Sequence, residues 1–267
     1  MAKYLFFDTE TTGNQSKDRI IQVGGILIDC KKQFGLFDEL CNISEILNDD
    51  KGESKPFDEL CSTDTPISIE AMAVHHITPE MIEGKPPFSK SKFYEILNRY
   101  NTSDNFLIAH NIKFDLSMLQ KEGFKNQYTL IDTLRCAKHL LPDENSHALQ
   151  YLRYSLGLYK LEDSEAKKHK ITIKAHDAIG DVLIMKLLFA HLVETIKAEN
   201  DTINPTEKLV ELTNTPVLIK NFKFGKYKNR QIEDIAQEER GYLEWMLKSL
   251  ELDEDMRYTL KYYLSKY

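Results

Sequence analysis

The chain has 267 residues, 42% hydrophobic and 29% charged, as in an ordinary globular protein with room for one sizeable domain and a small one. A formal net charge of −7 excludes a protein coated in positive charge for unspecific nucleic-acid binding. No apolar run approaches the ~20 residues that cross a bilayer, and a first strand under way by residue 4 leaves no signal peptide before it. Cys30, Cys41, Cys61 and Cys136 form no Cys-x-x-Cys pair, so the expectation is buried thiols in a reducing, cytoplasmic setting.

In chain order, Lys3-Tyr4-Leu5-Phe6-Phe7-Asp8-Thr9-Glu10-Thr11-Thr12-Gly13 is an apolar strand ending in two carboxylates and a small polar turn. Arg19–Asp29 predicts a second strand, with Gly24-Gly25 marking a bulge. Phe34–Leu40 predicts a third, followed by a polar loop over 42–65. Within this region Phe37-Asp38-Glu39-Leu40-Cys41 recurs as Phe57-Asp58-Glu59-Leu60-Cys61, which reads as a local duplication. Helices are expected over Ile67–Val74, after Pro79, from a Ser89 cap to Tyr100, and over Phe114–Glu122. Short strands fall at Phe106–Ala109 and Tyr128–Ile131. Asp132 and Ser146 cap further helices, 160–174 is a basic loop, and Ala178–Ala198 is a long helix with an apolar face.

Residues 200–216 read as a linker, although Leu209, Val210 and Leu212 allow a short helix. The expected organisation is therefore a domain over 1–199, the linker, and a small unit over 217–267. In that unit a strand at Phe222–Tyr227 precedes three short helices. Residues 217–267 are net +1 and residues 1–216 net −8, so the acidic excess lies with the opening carboxylates.

Residues i and i+2 of a strand point to one side, so Asp8 and Glu10 project together and repel unless a cation lies between them. Oxygen donors of this kind suit Mg²⁺ or Mn²⁺. Asp115 stands at a helix start, where negative charge is favoured. His176 and Asp181 are about 140° apart on an ideal helix, so they share a site only if His176 lies on the incoming loop.

Three stretches in order, DTETTG at 8–13, AHNIKFD at 109–115 and HDAIGD at 176–181, resemble the DEDDh branch of the DnaQ-like 3′→5′ exonucleases. VHHIT at 74–78, LIDTL at 130–134 and SHALQYL at 146–152 agree with it. The resemblance implies an α/β fold, an RNase H-like mixed five-stranded sheet flanked by helices, with a small C-terminal α+β domain. It implies two divalent ions, Mg²⁺ or Mn²⁺. Asp8 would bridge both, Glu10 and Asp181 would help hold the first, Asp115 would support the second, and His176 would be the general base.

Substrate contacts are expected from Thr11, Thr12, Gly13, His76, Ile77, Asn111 and Phe114, although many family members have glycine where this chain has His76. The stretch from Phe222 carries Lys220, Lys223, Lys226, Tyr227, Lys228 and Arg230, basic groups interleaved with aromatics that suit nucleic acid. FGKYKNRQIEDIA and GYLEWML resemble the C-terminal domain of exodeoxyribonuclease X-like proteins, whereas Trp245 is expected in the core. The implied partner is nucleic acid, DNA before RNA, with a polymerase or other replication or repair protein as a further partner and no membrane. The alternatives are a proofreading subunit, an exoribonuclease, and an inactive nucleic-acid-binding module.

Overall fold

The first two strands are apolar on both faces, as strands covered from both sides must be. The computed structural model describes residues 2–29, 55–169, 171 and 177–267. In it β1 (Lys3–Thr11) lies between antiparallel β2 (Ile20–Asp29) and parallel β4 (Phe106–Ala109). β3 (Lys55–Leu60) pairs with β2, and β5 (Thr129–Asp132) with β4, giving the mixed five-stranded order β3-β2-β1-β4-β5.

On one face Tyr4, Phe6, Ile26 and Ile28 pack under a long helix; on the other Leu5, Phe7 and Leu27 pack with Phe93, Leu97, Met118 and Leu119. The helices of the second face are α3 (Lys92–Arg99) and α4 (Ile112–Lys121), after the short α1 (Ile69–His75) and α2 (Pro79–Ile82). The first face carries α5 (Thr133–Leu140), α6 (Leu149–Ser155), α7 (Glu162–His169) and α8 (Ala178–Glu199). α8 is buried along nearly its whole circumference, as a helix apolar all round should be. Among the described residues no helix is long and apolar enough to cross a membrane.

Several expectations are corrected. The strand expected over 34–40 and the first FDELC copy lie outside the described residues. The second copy is an edge strand, not a loop: Pro56 and the charges that argued against a strand are tolerated at an edge. Its Glu59 accepts from the amides of Lys92 and Phe93 at 2.9 and 2.8 Å, so it caps the start of α3. Ser91, not Ser89, is the N-cap of α3, because a 3₁₀ turn occupies Phe88–Lys90. Part of the basic loop is α7, whose acidic first turn and basic last turn match the helix dipole.

The linker contains α9 (Pro205–Asn214), started by an Asn204 cap and a first-turn proline. Leu209 and Leu212 join the first-face core, so this stretch packs with the sheet and its helices. Beyond it, α10 (Ile232–Glu238), α11 (Arg240–Ser249) and α12 (Glu254–Lys266) enclose a separate core around Phe222, Ile235, Leu243 and Leu260. The strand expected at 222–227 is a turn instead. Gly225 (φ 75°) and Asn229 (φ 70°) reverse the chain, and one Asn221–Gln231 bridge closes it. Arg135 on α5 grips Asp255 of α12 through two bonds of 3.2 and 3.3 Å and donates to the Thr215 carbonyl at 2.6 Å.

Candidate active site

β1 is the central strand of the sheet, with a packed core on each face. Asp8 and Glu10 project on the α8 side, in register with Gly24 and Gln22 of β2. Gly24 forms no bulge; the register shift lies at Glu10/Thr11. Its role is proximity: a Cβ there would stand 2.4 Å from the Ala178 carbonyl carbon and the Ile179 nitrogen. The bare backbone thus lets the first turn of α8, which carries Asp181, rest on the strand beside Asp8. Gly25 faces the other way, where a Cβ would meet the Phe93 ring at 2.6 Å.

Asp115 arrives from the opposite face. It is 2% exposed, in the first turn of α4, and its Oδ1 accepts from the Thr9 hydroxyl at 2.7 Å and the Thr9 amide at 3.2 Å. Asn111 begins that helix with φ 75°, and its amide donates to Asp132 at 3.0 Å.

The four carboxylates feel one another. Burial first, then the charges of Asp115, Glu10 and Asp181, raises Asp8 well above the carboxylate range. Glu10 is pushed up to about 8 by burial and by Asp181, Asp115 and Asp177. Asp115 is pushed up to about 7 by burial, against the lowering hydrogen bonds from Thr9. Among the described residues no three His, Cys, Asp or Glu side chains stand close enough to hold an ion by themselves. The donor set nevertheless fits a hard divalent cation, since Mg²⁺ typically takes one or two carboxylates, substrate phosphate and several waters. His176 lies outside the described residues.

These shifts have a sign. With Glu10 near 8 rather than 4.5, the folded protein binds a proton that the unfolded chain releases. Stability without metal therefore falls as pH rises through that window. In EDTA the Tm is expected to drop between about pH 5 and pH 8, by about 2–4 °C for each kcal/mol lost. Saturating Mg²⁺ should raise it, and more at the alkaline end. Thermal melts in which neither pH nor metal moves the Tm would contradict a cation-binding carboxylate cluster.

Residues 5–189 match the family model described as Exonuclease. The chain belongs to this exonuclease family. Its sheet and flanking helices are the family's RNase H-like fold. Residues 222–251 match the exodeoxyribonuclease X-like C-terminal model. The exonuclease is 30% identical over 203 residues to Exodeoxyribonuclease 10 of Escherichia coli (strain K12), covering 75% of this chain and 81% of that one. It is 30% identical over 165 residues to DNA polymerase III subunit epsilon of Treponema pallidum (strain Nichols), covering 58% and 65%. E. coli Exonuclease I in complex with a 5cy-dA13 oligonucleotide superposes with a TM-score of 0.51 at 16% identity, over 79% of this chain and 42% of that one, a likeness of fold.

The expected substrate contacts divide. Gly13 is partly exposed beside the carboxylates, and a Cβ on it would strike Asp18 at 2.6 Å. Asn111 is exposed; Phe114 is half-buried against the second-face core. His76 is exposed at φ 60°, a conformation glycine adopts at no cost. Three expectations fail. Ile77 is 3% exposed and packs with Ile21, Ile67 and Ile82, so it is core. Thr12 is fully buried, its hydroxyl donating to Asp18 and its backbone bonded to Arg19 and Ser68. Tyr227 is buried among Phe222 and Tyr242. Thr11 is also buried, its hydroxyl donating to the Gly13 carbonyl.

Of the C-terminal cations, Lys220 pairs with Asp143, Lys226 with Glu239 and Arg230 with Glu238, all on the surface. Exposed pairs of this kind contribute ~0–1 kcal/mol, so a phosphate can displace the acid. Lys223 and Lys228 are exposed, and Trp245, expected in the core, is half exposed beside Tyr242.

Three supporting side chains were not anticipated. His75, not His76, bonds the Thr11 carbonyl at 3.2 Å and accepts from the Ile77 amide, pinning the turn after β1. Gln22 donates to Asp58 at 2.9 Å and to Asp177 at 2.6 Å, fixing the residue that opens α8. Gln150 donates to Asp181 at 2.5 Å and accepts from Arg153 at 3.2 Å. Arginine only donates, so it fixes which end of the amide faces Asp181. Glu162 holds Arg153 in turn through two bonds of 2.5 Å. The available signal was position: Gln22 alternates with apolar residues two from Gly24, and Gln150 lies inside SHALQYL.

Proposed function

We propose that the protein is a divalent-metal-dependent 3′→5′ exonuclease that removes nucleoside 5′-monophosphates from DNA ends. The observation that carries this reading is the convergence of Asp8, Glu10, Asp115 and Asp181 from β1, α4 and α8 in a chain of the exonuclease family. DNA is favoured by the name of the E. coli relative and by the exodeoxyribonuclease X-like match over 222–251. The nuclease unit comprises residues 1–216, with the small unit following.

Asp8, Glu10, Asp115 and Asp181 would hold two ions, Mg²⁺ or Mn²⁺. When bound, the ions supply a Lewis-acid clamp on the attacking and leaving oxygens. His176, on the approach to α8, takes a proton from the attacking water. The new P–O bond forms as the P–O3′ bond breaks, and the leaving 3′-oxygen takes a proton from solvent water to become the 3′-hydroxyl of the shortened strand. Gln150 and Gln22 orient Asp181 and Asp177, while Asn111, Phe114, His76 and Gly13 border the terminal nucleotide. Lys220, Lys223, Lys226, Lys228 and Arg230 contact the strand farther away. A second reading, proofreading beside a polymerase, is favoured by the identity to the Treponema epsilon subunit.

A 5′-labelled oligonucleotide should shorten stepwise from its 3′ end with Mg²⁺ or Mn²⁺, and EDTA should stop it. Digestion persisting in EDTA would refute the metal-dependent mechanism, and release of the 5′ label as a mononucleotide would refute the polarity. Parallel digestion of single-stranded DNA, duplex DNA and RNA decides the substrate.

A further inference from the structure

The helix α6, whose Gln150 bonds Asp181, leads into an exposed aromatic pair that the reaction above does not use. Residues i and i+4 of a helix share a face, and four residues rise ~6 Å. Tyr154 therefore lies on the Gln150 side of α6, a single turn beyond the amide bonded to Asp181. It is 60% exposed. Gly157 (φ 70°) then reverses the chain so that Tyr159, 45% exposed, returns to within 5.7 Å of the Tyr154 ring at an interplanar angle of 41°.

Cations back both rings. The Arg153 guanidinium is 5.2 Å from the Tyr154 centroid, and the Lys160 ammonium is 5.8 Å from that of Tyr159. The Arg153 charge is paired with the buried Glu162, and Lys160 is the exposed cation beside the rings. Exposed rings offer sequence-tolerant stacking to bases, and cations beside them suit the phosphates that link those bases. A nonpolar protein partner would have no use for the cations, whereas a polynucleotide uses both features.

We propose that Tyr154 and Tyr159 form a stacking platform for bases of the single strand lying upstream of the scissile 3′-terminal nucleotide. This rests on the exonuclease reading for its occupant. The platform sets how long a strand the site grips, apart from the chemistry at the four carboxylates.

The test compares the full-length protein with Tyr154→Ala/Tyr159→Ala and Tyr154→Phe/Tyr159→Phe. Fluorescence anisotropy of a labelled oligothymidylate in EDTA reads binding without turnover. The alanine pair is expected to bind about 10–100-fold more weakly, and the phenylalanine pair like wild type. With Mg²⁺, the alanine pair should raise KM for the long strand and leave kcat and dinucleotide hydrolysis unchanged. Equal affinity of the alanine pair, equal weakening by the phenylalanine pair, or slower dinucleotide hydrolysis overturns the platform. So does loss of polymerase binding with DNA affinity intact, which assigns the rings to a protein interface. Wild-type protein that binds DNA through these tyrosines and never shortens it overturns the exonuclease reading instead. Shortening with unchanged affinity of the alanine pair overturns only the platform.

Discussion

His176→Ala is expected to lower exonuclease turnover by about 10²–10⁴-fold, the contribution of a positioned general base, while divalent-metal binding stays intact. The separation of the two effects is the informative part. Asp177, the next residue, opens α8 and accepts 2.6 Å from Gln22, and α8 rests on Gly24 whether or not a histidine precedes it. Asp181 therefore keeps its place in the variant, and Mn²⁺ titrated calorimetrically should bind as in wild type. A general base also leaves its mark on the pH–rate profile, so the limb due to it should be lost in the variant. A variant with near-wild-type turnover removes His176 as the base. One that loses metal affinity with its activity turns His176 into a support for the carboxylates.

The opening strand and three motifs were legible because each is a local pattern: alternation ending in Asp8-x-Glu10, Asp115 at a helix start, Asp181 in the first turn of a long apolar helix. The sheet's outer strand was not. Lys55–Leu60 is half-exposed, so burial put little apolar signal into it, and its one clear mark, the duplicated FDELC, concerns ancestry more than conformation. Asn204-Pro205 carried a readable helix start, yet the polar composition around it outweighed Leu209 and Leu212, whose burial against α5, β5 and α8 is tertiary. The same holds within the site. Gln22 and Gln150 act through partners 155 and 31 residues away, and no window of sequence contains both ends of such a bond. Ile77 and Tyr227 differ for the converse reason: a place beside a motif or in a basic run suggests exposure, and the core claims both.

Gly24→Ala is expected to damage both stability and catalysis, with Gly25→Ala as its control. The new methyl at residue 24 would meet backbone atoms of Ala178 and Ile179 at 2.4 Å, and no rotamer change relieves a clash with backbone. α8 must lift. Overpacking of this kind costs typically 1–3 kcal/mol, or about 2–4 °C of Tm for each kcal/mol in a chain this size. Lifting α8 also carries Asp181 away from Asp8 and Glu10, and a ~1 Å misplacement is worth about 10²-fold in rate. At residue 25 the obstacle is the Phe93 ring, on the face away from Asp181. Gly25→Ala should thus lower Tm comparably with far less loss of activity or metal affinity. If the two variants lose activity in proportion to Tm alone, the close approach of β2 and α8 is only packing; if Gly24→Ala loses metal affinity beyond its Tm, that approach assembles the carboxylate site.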